Sequence, residues 1–373
     1  MHKLLLLFLS LTLYSDQNFN DFKQLQNQAF KLEKTNFIDF KKQQDNAFTS
    51  HMAKEREAIT AYKKKVKAFW PEADLENAKK YVSYSKDLKT QNVIDFEHNT
   101  IEISYQGEDK EIAKKKLSAA LVQALSMDTT QAFNRNPLEQ DVQKISKSSK
   151  YIETAQINEQ KLLSNPVLDT SKIKLTKDNK QYKLTYSLPN NSTYKRSASY
   201  LIYAKSNAQR FKLKAHWLLA IMHTESSFNP LARSWVPAYG LMQIVPKTAG
   251  IDSYYFLYKK RRLLSASYLY NTTNNIETGS AYFHILYYKY LSSITNPTSR
   301  LYCSIAGYNT GAGNVARAFV GTNSVKKAAV LINKMKPERV YSYLLEHLRH
   351  DEPKAYLKRV RERSKKYKEF YQL

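Results

Sequence analysis

The 373-residue chain is poor in four things: cysteine (one), tryptophan (three), glycine (eight) and acidic side chains. Lone Cys303 cannot close an internal disulfide, and without a Cys-x-x-Cys pair a thiolate zinc or iron–sulfur site is excluded. After the first fourteen residues no apolar run approaches the roughly 20 residues that span a bilayer. Against 59 Lys and Arg stand 33 Asp and Glu, a formal charge of +26. That excess calls for an anionic partner: nucleic acid, a phospholipid surface or an acidic polymer such as the bacterial cell wall. Hydrophobic residues at 42% suffice for cores, so a disordered polyelectrolyte is excluded.

What is present falls into four stretches. Met1-His2-Lys3 and apolar Leu4 to Tyr14 have the basic and hydrophobic regions of a secretory signal, assigned to 1–15, although Leu13 departs from the small-residue rule for cleavage near Ser15. The expectation is an exported, periplasmic protein; with no cysteine near the signal, lipid attachment there is not expected. Residues 16–72 are charged and Gln-rich, with Phe22, Leu25, Ala29, Leu32, Phe37, Phe40 and Phe48 at near-helical spacing, which predicts one or two long amphipathic helices. Over 73–192, alternating Asn92–Phe96 and Thr100–Tyr105 flank Glu97-His98-Asn99 as a β-hairpin. A helix with Ile112, Leu117, Leu121 and Leu125 on one face follows, from Glu111 to Phe133, and Gln181–Ser187 reads as another strand. From 193 to 373 the pattern is almost entirely helical. The fold class is therefore α+β, with a helical segment, a small α+β domain and a mainly α C-terminal domain.

Seven of the eight glycines lie between Gly240 and Gly321, where the chain needs unusual backbone or close approach. The same region is short of acids: Gln209 to Val330 holds fourteen Lys or Arg and three carboxylates, Glu225, Asp252 and Glu277. Glu225 follows Leu218, Ile221 and Met222 at i+7, i+4 and i+3 and so emerges from an apolar helix face. Loss of solvation there raises a carboxyl pKa and keeps it a proton donor near neutrality. The alternative is a structural carboxylate that caps a turn or pairs with a base such as Arg233.

Glu225-Ser226-Ser227-Phe228-Asn229-Pro230, Gly240-Leu241-Met242-Gln243 and Gly307-Tyr308-Asn309-Thr310-Gly311 resemble, in order and spacing, the transglycosylase SLT domain of the lysozyme superfamily (glycoside hydrolase family 23). Asn275-Ile276-Glu277-Thr278-Gly279, Asn296-Pro297-Thr298-Ser299-Arg300 and Tyr356-Leu357-Lys358-Arg359-Val360 look most like the membrane-bound lytic murein transglycosylase C group, and the hairpin region resembles that group's N-terminal domain. The resemblance implies a lysozyme-like catalytic domain. It also implies a lyase that cuts the β-1,4 bond between N-acetylmuramic acid and N-acetylglucosamine of peptidoglycan, leaves 1,6-anhydromuramoyl ends and acts from strand ends or within strands.

Ordinary glycosidases need two carboxyl groups beside the scissile bond. With one, Glu225 is expected to serve as acid and then base, assisted by the substrate's acetamido group. By the same resemblance Ser234, Gln243, Tyr282, Tyr308, Asn309 and Tyr356 are expected at the substrate, Tyr356 reaching back to the acid. Gly307 and Thr310 depart from the commoner family residues without removing a functional group, and Gly307 and Gly311 are expected to allow close approach to the saccharide. The expected partner is the peptidoglycan glycan strand, with charge-based association to membrane or wall and no nucleic acid. No cofactor and no metal are expected, since His216, His223 and Glu225 lack zinc-helix spacing. Oligomeric state is left open. A hydrolytic goose-type muramidase and a non-catalytic basic wall- or nucleic-acid-binding protein are the competing readings.

Overall fold

A computed structural model describes residues 16–72, 76–146, 149–164, 166, 168–178, 181–234 and 237–373. The expected signal segment 1–15 lies outside the described residues. The chain divides into two compact units after Ser50. Without a Gly or Pro before Pro71, Asp16–Phe69 runs as one helix, α1, which crosses that division. In the first unit Leu25, Leu32 and Phe40 of the expected apolar stripe are exposed, and α1 is the only element described there.

The second unit contains a five-stranded antiparallel sheet in the order β1-β2-β3-β6-β5. Its strands are β1 Lys80–Tyr84, β2 Thr90–Asp95, β3 Thr100–Gln106, β5 Ile173–Asp178 and β6 Gln181–Ser187. The expected hairpin is β2–β3, with Ile94 opposite Ile101. Asp95 Oδ1 accepts from the backbone N–H groups of Glu97 and His98, and Asn99 takes the left-handed turn at φ 54°.

Helix α2, Lys110–Ser126, packs Ala113, Leu117, Leu121 and Ala124 on the sheet. Ile112 is exposed instead, since the buried face is set by Ala113 and Leu117. The expected helix to Phe133 is interrupted at Met127, where Asp128 caps a new helix, α3 Thr129–Arg135, through a capping box with Gln131. Helix α4 spans Pro137–Ser146. A two-stranded parallel pair, β4 Ile152–Glu153 with β7 Leu263–Leu264, joins this part of the unit to the helical part.

The helical part begins with α5 Ser192–Ser199, α6 Leu201–Arg210 and α7 Ala215–Ser226. It continues with α8 Ile251–Tyr258, α9 Ala266–Tyr270, α10 Thr272–Ile285 and α11 Pro297–Thr310. The remaining helices are α12 Ala312–Val320, α13 Val325–Ile332, α14 Pro337–His347 and α15 Asp351–Tyr371. Helix α7 is the core of this layer, with Leu218, Leu219, Ile221 and Met222 fully buried. Helix α15 lies along it, where Arg363 Nη1 donates to His223 O and Thr224 Oγ1.

Candidate active site

Glu225 sits one residue before the end of α7, half-buried where the helix stops. The stop is sharp because Ser227 and Phe228 both take left-handed backbone, at φ 51° and 65°. Asn229 holds the reversal by accepting from Leu231 N–H at 3.1 Å. Ser226 Oγ donates to Leu241 O at 2.8 Å, which ties the acid's neighbour to the Gly240–Gln243 turn.

That turn is fixed from the other side by α10. Asn275 donates to Tyr239 O and Leu269 O and accepts from Met242 N at 2.8 Å. Gly240, at φ +75°, has no space for a methyl group, which would fall 2.3 Å from Leu269 O, and one on Gly279 would fall 2.5 Å from Met242 Sδ. Two of the quoted motifs therefore shape each other.

The carboxyl of Glu225 receives a hydrogen bond from Tyr356 Oη at 2.7 Å, delivered by α15. Burial raises its pKa from 4.5 to about 8; the Tyr356 bond opposes the shift, nearby Glu352 adds to it, and Lys79 and Arg359 also oppose it. Arg233 does not pair with Glu225. It is buried against Glu139, at 3.1 Å, and Glu55, with Tyr270 Oη 3.3 Å from its Nε.

Tyr308 and Asn309 lie on the last turn of α11. Tyr308 Oη donates to Met242 O at 2.9 Å, and its phenol is raised by burial and by the Glu225 charge. Tyr282, half-buried on α10, meets the Tyr308 ring edge-on with centroids 5.5 Å apart. Asn309 Nδ2 donates to Glu352 Oε1 at 2.9 Å. Glu225, Tyr356, Tyr308, Tyr282 and Asn309 thus gather around one helix end. Gln243 reaches the same turn but directs its amide nitrogen inward, to Ala232 O and Gly240 O. Ser234 lines a small pocket of about 60 Å³ with Tyr62, Glu76, Tyr84 and Arg233, a lining that does not include Glu225.

The two glycines of the α11 motif behave differently. Gly311 ends α11 at φ +87°, whereas Gly307 is mid-helix with room for a methyl group, 3.5 Å from Leu286. Within the chain a methyl group fits at 307, so the departure from the family residue there is sterically neutral.

Several residues escaped the sequence reading. Arg196, buried on α5, donates to Phe96 O at 2.7 Å, to Asn99 Oδ1 and to Ser227 O, joining the hairpin turn to the residue two after the acid. Lys79, ion-paired with Glu97 beside β1, brings a cation from the α+β part to Glu225. Glu352 lay beyond the window in which acids were counted, so Glu225 is not the only carboxylate of the site. Asp252 and Glu277 are engaged by Tyr290 and by Arg210 with Tyr258. His216 and His223 are held by α15 hydroxyls, Ser364 at 2.8 Å and Tyr367 at 3.0 Å.

With this geometry in place, relatives can be compared. The transglycosylase SLT domain family matches residues 202–331, and the family of the membrane-bound lytic murein transglycosylase C N-terminal domain matches residues 41–206. A membrane-bound lytic murein transglycosylase C from Klebsiella pneumoniae is 34% identical over 317 residues, which is 79% of this chain and 83% of its own. The chain belongs to the membrane-bound lytic murein transglycosylase C family. Its likeness to the Haemophilus influenzae relative is 43% over 173 residues, or 46% of this chain and 48% of that one. In that alignment the chain spans about half the length of the relative. A solved lytic transglycosylase Slt from Pseudomonas aeruginosa is 26% identical over 46% of this chain and 24% of its own, at a TM-score of 0.33. Among the described residues of this family member no helix is long and apolar enough to cross a membrane.

Proposed function

We propose that the chain is a peptidoglycan lytic transglycosylase, exported to the wall, that cuts the β-1,4 bond between N-acetylmuramic acid and N-acetylglucosamine without adding water. The observation that carries this reading is Glu225: half-buried, raised to about 8, and bonded by Tyr356. At pH 7 such a group is mainly protonated and can act as a general acid.

The hydrogen bond suggests the assignment of oxygens. Tyr356 donates to Oε1, so the acidic proton resides on Oε2 and passes to the leaving glycosidic oxygen. As the C1–O bond breaks, the substrate's acetamido oxygen bonds to C1. The Glu225 carboxylate then removes the C6 hydroxyl proton, O6 bonds to C1, and the acetamido oxygen leaves. The product is a 1,6-anhydro ring and Glu225 is protonated again. Tyr356 orients the carboxyl, Tyr308 and Asn275 hold the Met242 turn beside it, and Tyr282, Asn309, Gln243 and Ser234 are the proposed glycan contacts.

One observation favours the hydrolytic reading: Glu352 lies close enough to Glu225 to raise its pKa and could supply a second carboxyl. Against it, Glu352 is exposed and already accepts from Asn309. Gel zymography on peptidoglycan with the wild type and Glu225→Gln tests the assignment of the acid. Clearing by the wild type alone is expected, and equal clearing by the variant contradicts it.

A further inference from the structure

Outside this site, the second unit has a larger concavity. Between the edge strand β1 with its turn to β2, helix α2 and the α3–α4 junction lies a groove of about 760 Å³. Its walls include Tyr84, Lys86, Asn92, Lys116, Gln123 and Arg135, and among the described residues no Asp or Glu lines it. All three cations are exposed to solvent. Asp87, next to Lys86, offsets part of the charge at Lys116, but three cations in a concave lining still focus positive potential on an incoming anion.

The groove is also equipped for hydroxyl and amide groups. Asn92 lines the groove among Ser, Thr, Asn and Gln side chains, and its buried Oδ1 has no hydrogen-bond partner among the described residues. Its volume falls in the range that encloses an organic ligand of a few hundred daltons. The position matters as well. Tyr84 lines both this groove and the small pocket that contains Ser234, so the two concavities share a wall. Ser234 N–H donates to Ala238 O and Gly240 N–H to Ala232 O, which sets Ser234 beside the segment that leads into the turn next to Glu225.

Building on the reading of the chain as a peptidoglycan-cleaving enzyme, we propose that this groove is an accessory site for the carboxylate-bearing stem peptides of a strand whose glycan passes Ser234 toward Glu225. Lys86, Lys116 and Arg135 meet the peptide carboxylates, the Asn92 side chain turns its amide outward to accept from an amide or hydroxyl donor, and Tyr84 stacks against the strand between the two concavities. The site selects peptide-substituted strands over bare glycan.

The test measures binding with full-length protein carrying Glu225→Gln, so that probes are not consumed. The probes are soluble uncross-linked peptidoglycan strands with stem peptides, the same strands stripped by an amidase, and vesicles of phosphatidylglycerol with phosphatidylcholine. The combined Lys86→Ala, Lys116→Ala and Arg135→Ala substitutions should weaken binding of peptide-bearing strands roughly tenfold at low salt, each cation contributing a modest exposed ion pair. Binding of stripped glycan should be unchanged. In the enzyme with Glu225 intact, the same substitutions should raise KM on peptide-bearing strands and leave kcat as it was.

Unchanged affinity for peptide-bearing strands, an equal loss on stripped glycan, or a loss confined to vesicles would each overturn the proposal. Should the triple variant lose its fold, single Lys116→Glu on the exposed face of α2 must still show the selective loss. Because binding is read without chemistry, failure of the groove is distinguishable from failure of Glu225 as the acid, which would appear as turnover by Glu225→Gln.

Discussion

Replacing Glu225 with Gln should remove activity and at the same time make the protein more stable, by an amount that depends on pH. The folded-state pKa of about 8 lies above the ordinary 4.5 because α7 and α15 exclude solvent from the carboxyl. A raised carboxyl binds its proton more tightly when folded, so its contribution to stability is complete below pH 4.5 and is lost as pH rises through 8. At pH 7 ionisation in the unfolded chain alone disfavours folding by at most about 3 kcal/mol. Glutamine is nearly isosteric, does not titrate and still accepts from Tyr356. The difference in unfolding free energy between variant and wild type should be near zero around pH 4.5, grow to about 3 kcal/mol at pH 7 and flatten above pH 8. Urea unfolding followed by circular dichroism across this range measures it. Turnover should fall at least ~100-fold, the ordinary contribution of a general acid. A variant whose relative stability does not change between pH 4.5 and 8 would refute the claim that burial holds this carboxyl protonated.

The same geometry yields further expectations. Tyr356→Phe removes the bond to Oε1, so kcat should fall roughly 10- to 100-fold and the alkaline limb of the pH–rate profile should move upward, since that bond lowers the Glu225 pKa. Glu352→Gln and Lys79→Met should shift that limb in opposite directions, downward and upward, because the carboxylate raises and the ammonium lowers the Glu225 pKa. If catalysis needs a single carboxyl, Glu352→Gln should also keep most of its kcat, as a steady-state assay will read. Arg233→Met leaves Glu139 and Glu55 buried without their cation and should cost about 3–5 kcal/mol in urea unfolding, part of it recovered by adding Glu139→Gln.

How much of this was legible in the sequence depends on the range of the interactions. Short-range signals gave the hairpin at Glu97-His98-Asn99, where Asp95 and Asn99 make the turn, and the solvation argument for Glu225, which needs only the apolar face of α7. The capping box at Asp128 was also local and could have been found, since Asp-x-x-Gln after an apolar stretch is a helix-start signal. Arg196, Lys79 and Glu352 could not. Arg196 reaches Phe96 across 100 positions, and Lys79 and Glu352 approach Glu225 only because the sheet and α15 fold onto the end of α7. Counting acids within one stretch of chain therefore overstated the isolation of Glu225. Gly307 illustrates a different limit of local reading: scarcity of glycine suggested close approach, but of the seven glycines from Gly240 to Gly321 only Gly240 and Gly279 stand where a methyl group would collide.

The most direct test of the central claim is the mass of the products released from purified peptidoglycan strands. Attack by O6 on C1 predicts muropeptides ending in 1,6-anhydromuramoyl residues, formed without uptake of water and lost on Glu225→Gln substitution. Products heavier by one water, with reducing ends and no anhydro termini, would contradict it and assign the site to hydrolysis.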